Sequence, residues 1–224
     1  MVSRVFTCGA APCAAKAPRA TAKPPHSAAK TARGRSTVMR FALADVEARV
    51  CYARAMTSAI RLAVQYVLLF GATGVSLPFA GLWLSSRGMT GAEIGALLAA
   101  PMLGRLVTGP AAAVWADGFR SRRTPIALLG LGAAVGYGGA GLAEDAWLRA
   151  LCWFVAASAA AALIPLTDVL NLRVARRTGH SFAFPRGCGS AAFVGANIAM
   201  GVLLTVLPAD AVIVWVAAVS AGIG

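Results

Sequence analysis

An all-α bundle of membrane-crossing helices is the fold class this sequence predicts, and three observations carry it. Hydrophobic residues make up 58% of the 224, charged ones only 13%, and the mean hydropathy is +0.72, which is more apolar than a water-soluble domain. From Ile60 onward the apolar residues form long runs. A backbone in lipid must satisfy its own donors and acceptors, so runs of this length read as helices rather than strands. Arginine gathers in every second connection between the runs.

The elements follow in order. In residues 1–56, the stretch before Asp45 holds eight Lys or Arg and no acid, with much Ala, Pro, Ser and Thr, a composition that predicts a disordered basic tail. It resembles an organellar transit peptide, or a leader outside the native protein with Met56 as the true start. Phe41 to Met56 carries a weak amphipathic pattern. Residues 57–224 are expected to form a six-helix bundle. Its spans run from Ala59 to Leu84, Ala92 to Trp115, Pro125 to Ala143, Trp147 to Leu172, Gly187 to Leu207, and Ala211 to the end. The last run is shorter than the roughly 20 residues a crossing needs, so the bundle is expected to be truncated in or after its sixth span.

Charge sets the orientation, because Lys and Arg stay on the cytoplasmic side of a bilayer. The tail is basic, the link after the second span holds Arg120, Arg122 and Arg123, and the link after the fourth holds Arg173, Arg176, Arg177 and Arg186. The remaining links carry Arg87, then Glu144, Asp145 and Arg149, then Asp210. This pattern predicts an integral multi-pass protein, partnered by the lipid bilayer, with a cytoplasmic N-terminus. The net charge of +13 is then an orientation signal. Nucleic acid is not expected as a partner, since the bases are dispersed among apolar spans without a binding motif. Cys8, Cys13, Cys51, Cys152 and Cys188 form no Cys-x-x-Cys pair, so neither a metal nor another cofactor is expected. His26 and His180 read as solvated.

Inside the spans, Gln65 and Ser76 are spaced to share a helix face, as are Ser190, Asn197 and Gly201. Such stripes serve either helix packing or a solute pathway. Gly132 and Gly136 form a Gly-xxx-Gly packing surface. Arg105 lies about halfway along the second span, where a cation costs several kcal/mol unless it meets a partner or a wet cavity. No span has an acid at that depth. Glu93 sits near the outer end of the second span and Asp168 near the inner end of the fourth, so the counter-charge to Arg105 is expected either from the missing half or from an anionic solute, the alternative being that Arg105 snorkels or bonds to backbone carbonyls. Asp117, followed by Arg120, Arg122 and Arg123, makes a candidate charge latch on the cytoplasmic face. Asp168 and Arg186 are a second candidate inner charge pair.

The link AVWADGFRSRR, from Ala113 to Arg123, resembles the Gly-x-x-x-Asp-Arg-x-x-Arg-Arg motif of the major facilitator superfamily. Ala113 replaces the Gly, Gly118 replaces the first Arg, and Asp117, Arg122 and Arg123 match. The first-span pattern GVSLPFAGLWLSSRGMTGAEIGALL, from Gly74 to Leu98, resembles the proton-coupled permeases related to phenylpropionate and nucleoside symporters. Leu77, Pro78, Phe79, Leu82, Trp83, Leu84, Arg87, Gly88, Ile94 and Gly95 carry that match. IPLTDVLNL, from Ile164 to Leu172, resembles the branch's Pro-Leu-x-Asp segment. SFAFPRGCGSAAF, from Ser181 to Phe193, resembles its entry to the fifth span, with Arg186, Gly189 and Ser190 agreeing and the extra Arg replaced by Phe184.

The resemblance implies a major facilitator fold, in which this chain is the N-terminal half, built from inverted three-helix repeats, and works against a missing C-terminal six-helix half. It implies a secondary transporter, proton coupled, moving a small organic solute such as an aromatic acid by alternating access, in a bacterial inner membrane. Two other classes are set beside it. One is a non-transporting membrane subunit or inactive fragment. The other is an intramembrane serine hydrolase built on Ser190, which would need a base in a neighbouring span.

Overall fold

The computed structural model describes residues 30–121 and 123–223, without the side chains of residues 30–49, 51, 54 and 104–107. The helices are α1 (Lys30–Ser86), α2 (Gly91–Asp117), α3 (Arg123–Leu142), α4 (Ala146–Thr178), α5 (Ala183–Leu203) and α6 (Asp210–Ala221). Among the described residues there is no strand.

Three helical stretches are long and apolar enough to cross a bilayer: Ala55–Ser86, Arg123–Leu142 and Ala146–Thr178. A fourth arises if the two parts of α2, Gly91–Leu103 and Thr108–Asp117, count as one span across their 44° bend. Pro110 follows the bend, and it can neither donate to nor sit close against the carbonyl four residues before it, which falls within the break, the usual cause of a kink. The expected count of six is therefore met by three or four on length and hydropathy. In α5 the Gly, Ser and Asn of GCGSAAFVGAN dilute the apolar character, and α6 has only 12 residues.

Helix α1 begins at Lys30, inside the segment whose composition reads as tail. Between Gly34 and Gly71 the sequence contains neither Gly nor Pro, so nothing local interrupts helix propagating outward from the span. The tail's first 29 residues lie outside the described residues.

Local chemistry sets the other ends. Thr90 and Glu93 form a reciprocal capping box at the start of α2, which satisfies two orphan donors. Asp145 accepts from the Leu148 N–H at 3.0 Å to open α4. Gly179, at φ 77°, closes α4 in the left-handed conformation that glycine adopts without a Cβ penalty.

The helices pack through small residues. Helix α1 lies mainly against α5, and α3 against α4. A Cβ at Gly74 would stand 2.6 Å from the Phe193 carbonyl oxygen, and one at Gly136 would stand 2.8 Å from the Ala156 Cβ. Such close approach lets dispersion replace the hydrophobic effect, which has little force between helices in lipid. Of the expected Gly132–Gly136 surface only Gly136 is used, because Gly132 has nothing within 4 Å. Its place is taken by Gly139, against the Cys152 sulfur. In the core Trp83 stacks on Trp153 with ring centroids 5.8 Å apart, and Tyr137 meets Trp153 edge-on at 5.2 Å. Large apolar side chains such as Val114, Val135 and Val206 are exposed, as suits a surface facing lipid rather than water.

The alternation of links seen in the sequence has a geometric counterpart. At one end of the bundle Arg87 of the α1–α2 link pairs with Asp210 at the start of α6 at 2.7 Å. At the same end Arg149 of α4 donates to the carbonyls of Ala143, Glu144 and Arg87. The links α1–α2, α3–α4 and α5–α6 thus share this end, and the arginine-rich links lie at the other.

Candidate functional site

At the arginine-rich end, α1, α4 and α5 converge on a connected set of polar side chains. Asp168, about three turns before the end of α4, faces Arg186 in the first turn of α5, with Oδ1 3.8 Å from Nε. Each side chain is about one-third exposed, 36% and 35%, so the pair contributes under about 1 kcal/mol. An ion pair this weak holds a geometry and can be broken. The Arg186 guanidinium also lies 4.2 Å above the Phe70 ring centroid and 5.9 Å from that of Tyr66, a cation–π arrangement that fixes its plane against α1. Gly189, one turn further on, allows this approach, since a Cβ there would meet Phe70 and Tyr66 at 3.0 Å.

Tyr66 extends the set. Its hydroxyl donates to the same Asp168 Oδ1 at 2.5 Å and accepts from Asn171 Nδ2 at 3.5 Å. Asn171 is fully buried, and its Nδ2 also donates to the Phe182 carbonyl at 3.1 Å. A carbonyl only accepts, which fixes the amide orientation and turns Asn171 Oδ1 toward His180 Nε2, 3.1 Å away. His180 Nδ1 lies 2.8 Å from the Thr178 hydroxyl, which is also 2.9 Å from the Val174 carbonyl. His180 is therefore tied into the bundle rather than solvated. Burial lowers its pKa from 6.5.

The predicted site residues fall into separate places. Asp168 and Arg186 are brought together as expected. Gln65 and Ser76, spaced to share a face, line different cavities. Gln65, with Arg61 and Arg123, borders one of about 300 Å³, and Ser76 borders one of about 170 Å³ with Tyr137 and Trp153. Gln65 Nε2 is buried there without a hydrogen-bond partner among the described residues. Asn197 is half-buried on α5 and lines neither cavity. Asp117 ends α2, makes a polar contact of its own, and lies with exposed Arg120 and Arg123 at the arginine-rich end. Arg122 and the Arg105 side chain lie outside the described residues. Glu93 is taken up by its cap, its Oε2 accepting from the Thr90 N–H and hydroxyl at 2.8 Å each. Ser190 is exposed and donates to the Arg186 carbonyl at 3.4 Å, while His180 is engaged with Asn171 and Thr178.

Sequence reasoning missed Tyr66, Asn171, His180 and Arg149. The signal for Asn171 was present, as a polar residue one turn beyond Asp168 on an apolar helix. At the opposite end the resemblance motif finds a structural role. Trp83 is buried and donates to Asp210 Oδ1 at 3.1 Å, Arg87 shares that carboxylate, and Gly88 turns the chain at φ 81°.

Among known families, the one described as MFS_1 like matches the chain over residues 59–223. No curated protein and no solved structure matches the chain.

Proposed function

The chain belongs to the MFS_1 like family of the major facilitator superfamily, a transporter-type membrane protein, and on that premise we propose that it is the N-terminal bundle of a proton-coupled secondary transporter for a small organic anion. Its arginine-rich end is cytoplasmic, its outer end carries the Arg87–Asp210 pair, and it moves against a second helical bundle by alternating access.

The observation that carries this reading is the Asp168–Arg186 pair with Tyr66. Three helices of one bundle are joined at their inner ends by charges too exposed to stabilise the fold. Such a contact suits a gate that makes and breaks during a cycle better than it suits permanent structure. Asp117 with Arg120, Arg122 and Arg123 forms the second inner latch. Arg105, near mid-membrane, contacts the anionic group of the solute, which supplies the counter-charge that the neighbouring spans lack. The Phe184 substitution sets this chain apart from the branch it resembles, so its solute need not be the branch's own.

The test is counterflow of labelled aromatic carboxylates in proteoliposomes, with the bundle joined to its second half. Asp168→Arg should abolish counterflow, and adding Arg186→Asp should restore part of it. Wild-type counterflow at the rate of empty vesicles across a panel of organic anions would overturn the proposal. Transport by this chain alone at full rate would overturn the need for a second bundle.

A further inference from the structure

The cavity that Gln65 borders at the arginine-rich end is rich in donors and has no acid. Ser58, Arg61 and Gln65 fall three and four residues apart on α1, which puts them on one helix face. Arg123, the first residue of α3, borders the cavity from a second helix. No carboxylate lines it. Among the described residues neither Arg61 nor Arg123 forms an ion pair, and the buried Gln65 Nε2 has no hydrogen-bond partner. A buried donor left unanswered is costly. Two guanidiniums and an amide together suit one anion with several oxygens, and the positive dipole end of α3 adds to the same border.

The rest of the lining is aliphatic. Leu62, Ile126, Leu170, Val174 and Ile223 supply most of it, around a volume of about 300 Å³, at the lower end of the roughly 300–1,000 Å³ of ligand sites. A soluble oxyanion leaves such walls unused, whereas an anionic amphiphile answers both parts. Depth points the same way. Arg123 opens the stretch Arg123–Leu142, and Arg61 lies within two turns of the start of Ala55–Ser86. At about 1.5 Å per residue the latter is roughly 48 Å long, against about 40–45 Å for a bilayer with its headgroups, so its first two turns fall at headgroup level.

We propose that this cavity is a binding site for an anionic phospholipid, with the phosphate held by Arg61, Arg123 and the Gln65 amide and the glycerol and upper acyl chain against the aliphatic wall. Guanidiniums match phosphate oxygens as forked donors. A zwitterionic lipid binds less well, because its headgroup cation meets the same two arginines. Asp168, Arg186 and Tyr66 do not line the cavity, so the site is separate from the inner gate. That it faces the inner leaflet rests on the function proposed above; that it takes an anionic lipid does not.

The test is native mass spectrometry of the full chain from detergent micelles, titrated with phosphatidylglycerol, with phosphatidylcholine, and with phosphatidylglycerol in the presence of inorganic phosphate. The expected result is one phosphatidylglycerol retained per chain, little phosphatidylcholine, and no displacement by millimolar phosphate. One arginine near a membrane surface accounts for roughly fivefold in affinity, so Arg61→Gln with Arg123→Gln should weaken retention about twenty- to thirtyfold. Gln65→Glu, which places a carboxylate in the cavity, should abolish it, and Arg176→Gln, outside the lining, should keep it. Phosphatidylglycerol should raise the thermal midpoint of the wild type and not of the double variant, which separates a lost ligand from a lost fold. Equal retention of the two lipids by the wild type would overturn the proposal, as would an Arg176→Gln loss equal to that of the double variant. Displacement by inorganic phosphate would overturn it in favour of a soluble anion. None of these measurements requires transport, so failure here is distinguishable from failure of the counterflow assay.

Discussion

Replacing Gly74 by alanine would put a methyl carbon 2.6 Å from the Phe193 carbonyl oxygen, 3.1 Å from its Cα and 3.2 Å from its carbonyl carbon. All three are backbone atoms of α5, so no rotamer change relieves the clash. Ordinary contact begins at 3.4 Å, and the helices must therefore part by about 0.8 Å, enough to forfeit a large share of the dispersion along the α1–α5 seam. Overpacking of this kind costs about 1–3 kcal/mol, against a gain of about 1 kcal/mol for alanine over glycine in a helix. Gly132→Ala provides the correction, because Gly132 is also in a helix interior and has nothing within 4 Å. The propensity term is common to both and cancels in the comparison. Gly74→Ala should then be less stable than Gly132→Ala by about 1–3 kcal/mol, or roughly fivefold to a hundredfold in the unfolding equilibrium. Steric trapping in detergent micelles measures that difference. Equal stabilities for the two variants would refute the packing of α1 on α5 described above.

Three further outcomes are expected. Arg149 is 5% exposed and donates to three carbonyls at the outer end, so Arg149→Leu should cost about 2–4 kcal/mol through unpaired buried acceptors. Arg149→Lys should rescue little of that loss, since an ammonium cannot span the fork; a drop in thermal midpoint for both variants checks it. Arg87→Gln should change stability by less than about 1 kcal/mol, because both members of its pair with Asp210 are substantially exposed, and a large loss in the same melting assay would contradict this. The lowered pKa of His180 has a definite sign: as pH falls through 6.5, its ordinary value, the unfolded chain takes up more protons than the fold. Stability is thus fully present above that pH and declines below it, and His180→Gln should flatten that part of the melting profile.

The alternation of the links between the two ends of the bundle was legible because it needs only local information. Hydropathy over a span and the sign of charge in a link belong to consecutive residues, and the arginine-rich links do gather at one end while Arg87, Arg149 and Asp210 gather at the other. Caps were equally local: Thr90 and Glu93 lie three residues apart. The Asp168–Arg186 pair was reachable because both residues flank one short link. Helix count was less secure, since α5 carries a run of Gly, Ser and Asn whose burial against α1 hydropathy cannot see.

What the sequence determined by itself was the solvent this chain is built for and the alternation of its links between two ends, because both follow from transfer free energies of adjacent side chains. Only the tertiary structure decided which polar groups answer one another. Tyr66 reaches Asp168 across 102 positions and Trp83 reaches Asp210 across 127, and Gly74 rather than Gly132 became the tight contact. A buried donor or a missing Cβ takes its meaning from the atom opposite, and that atom is supplied by the packing of another helix.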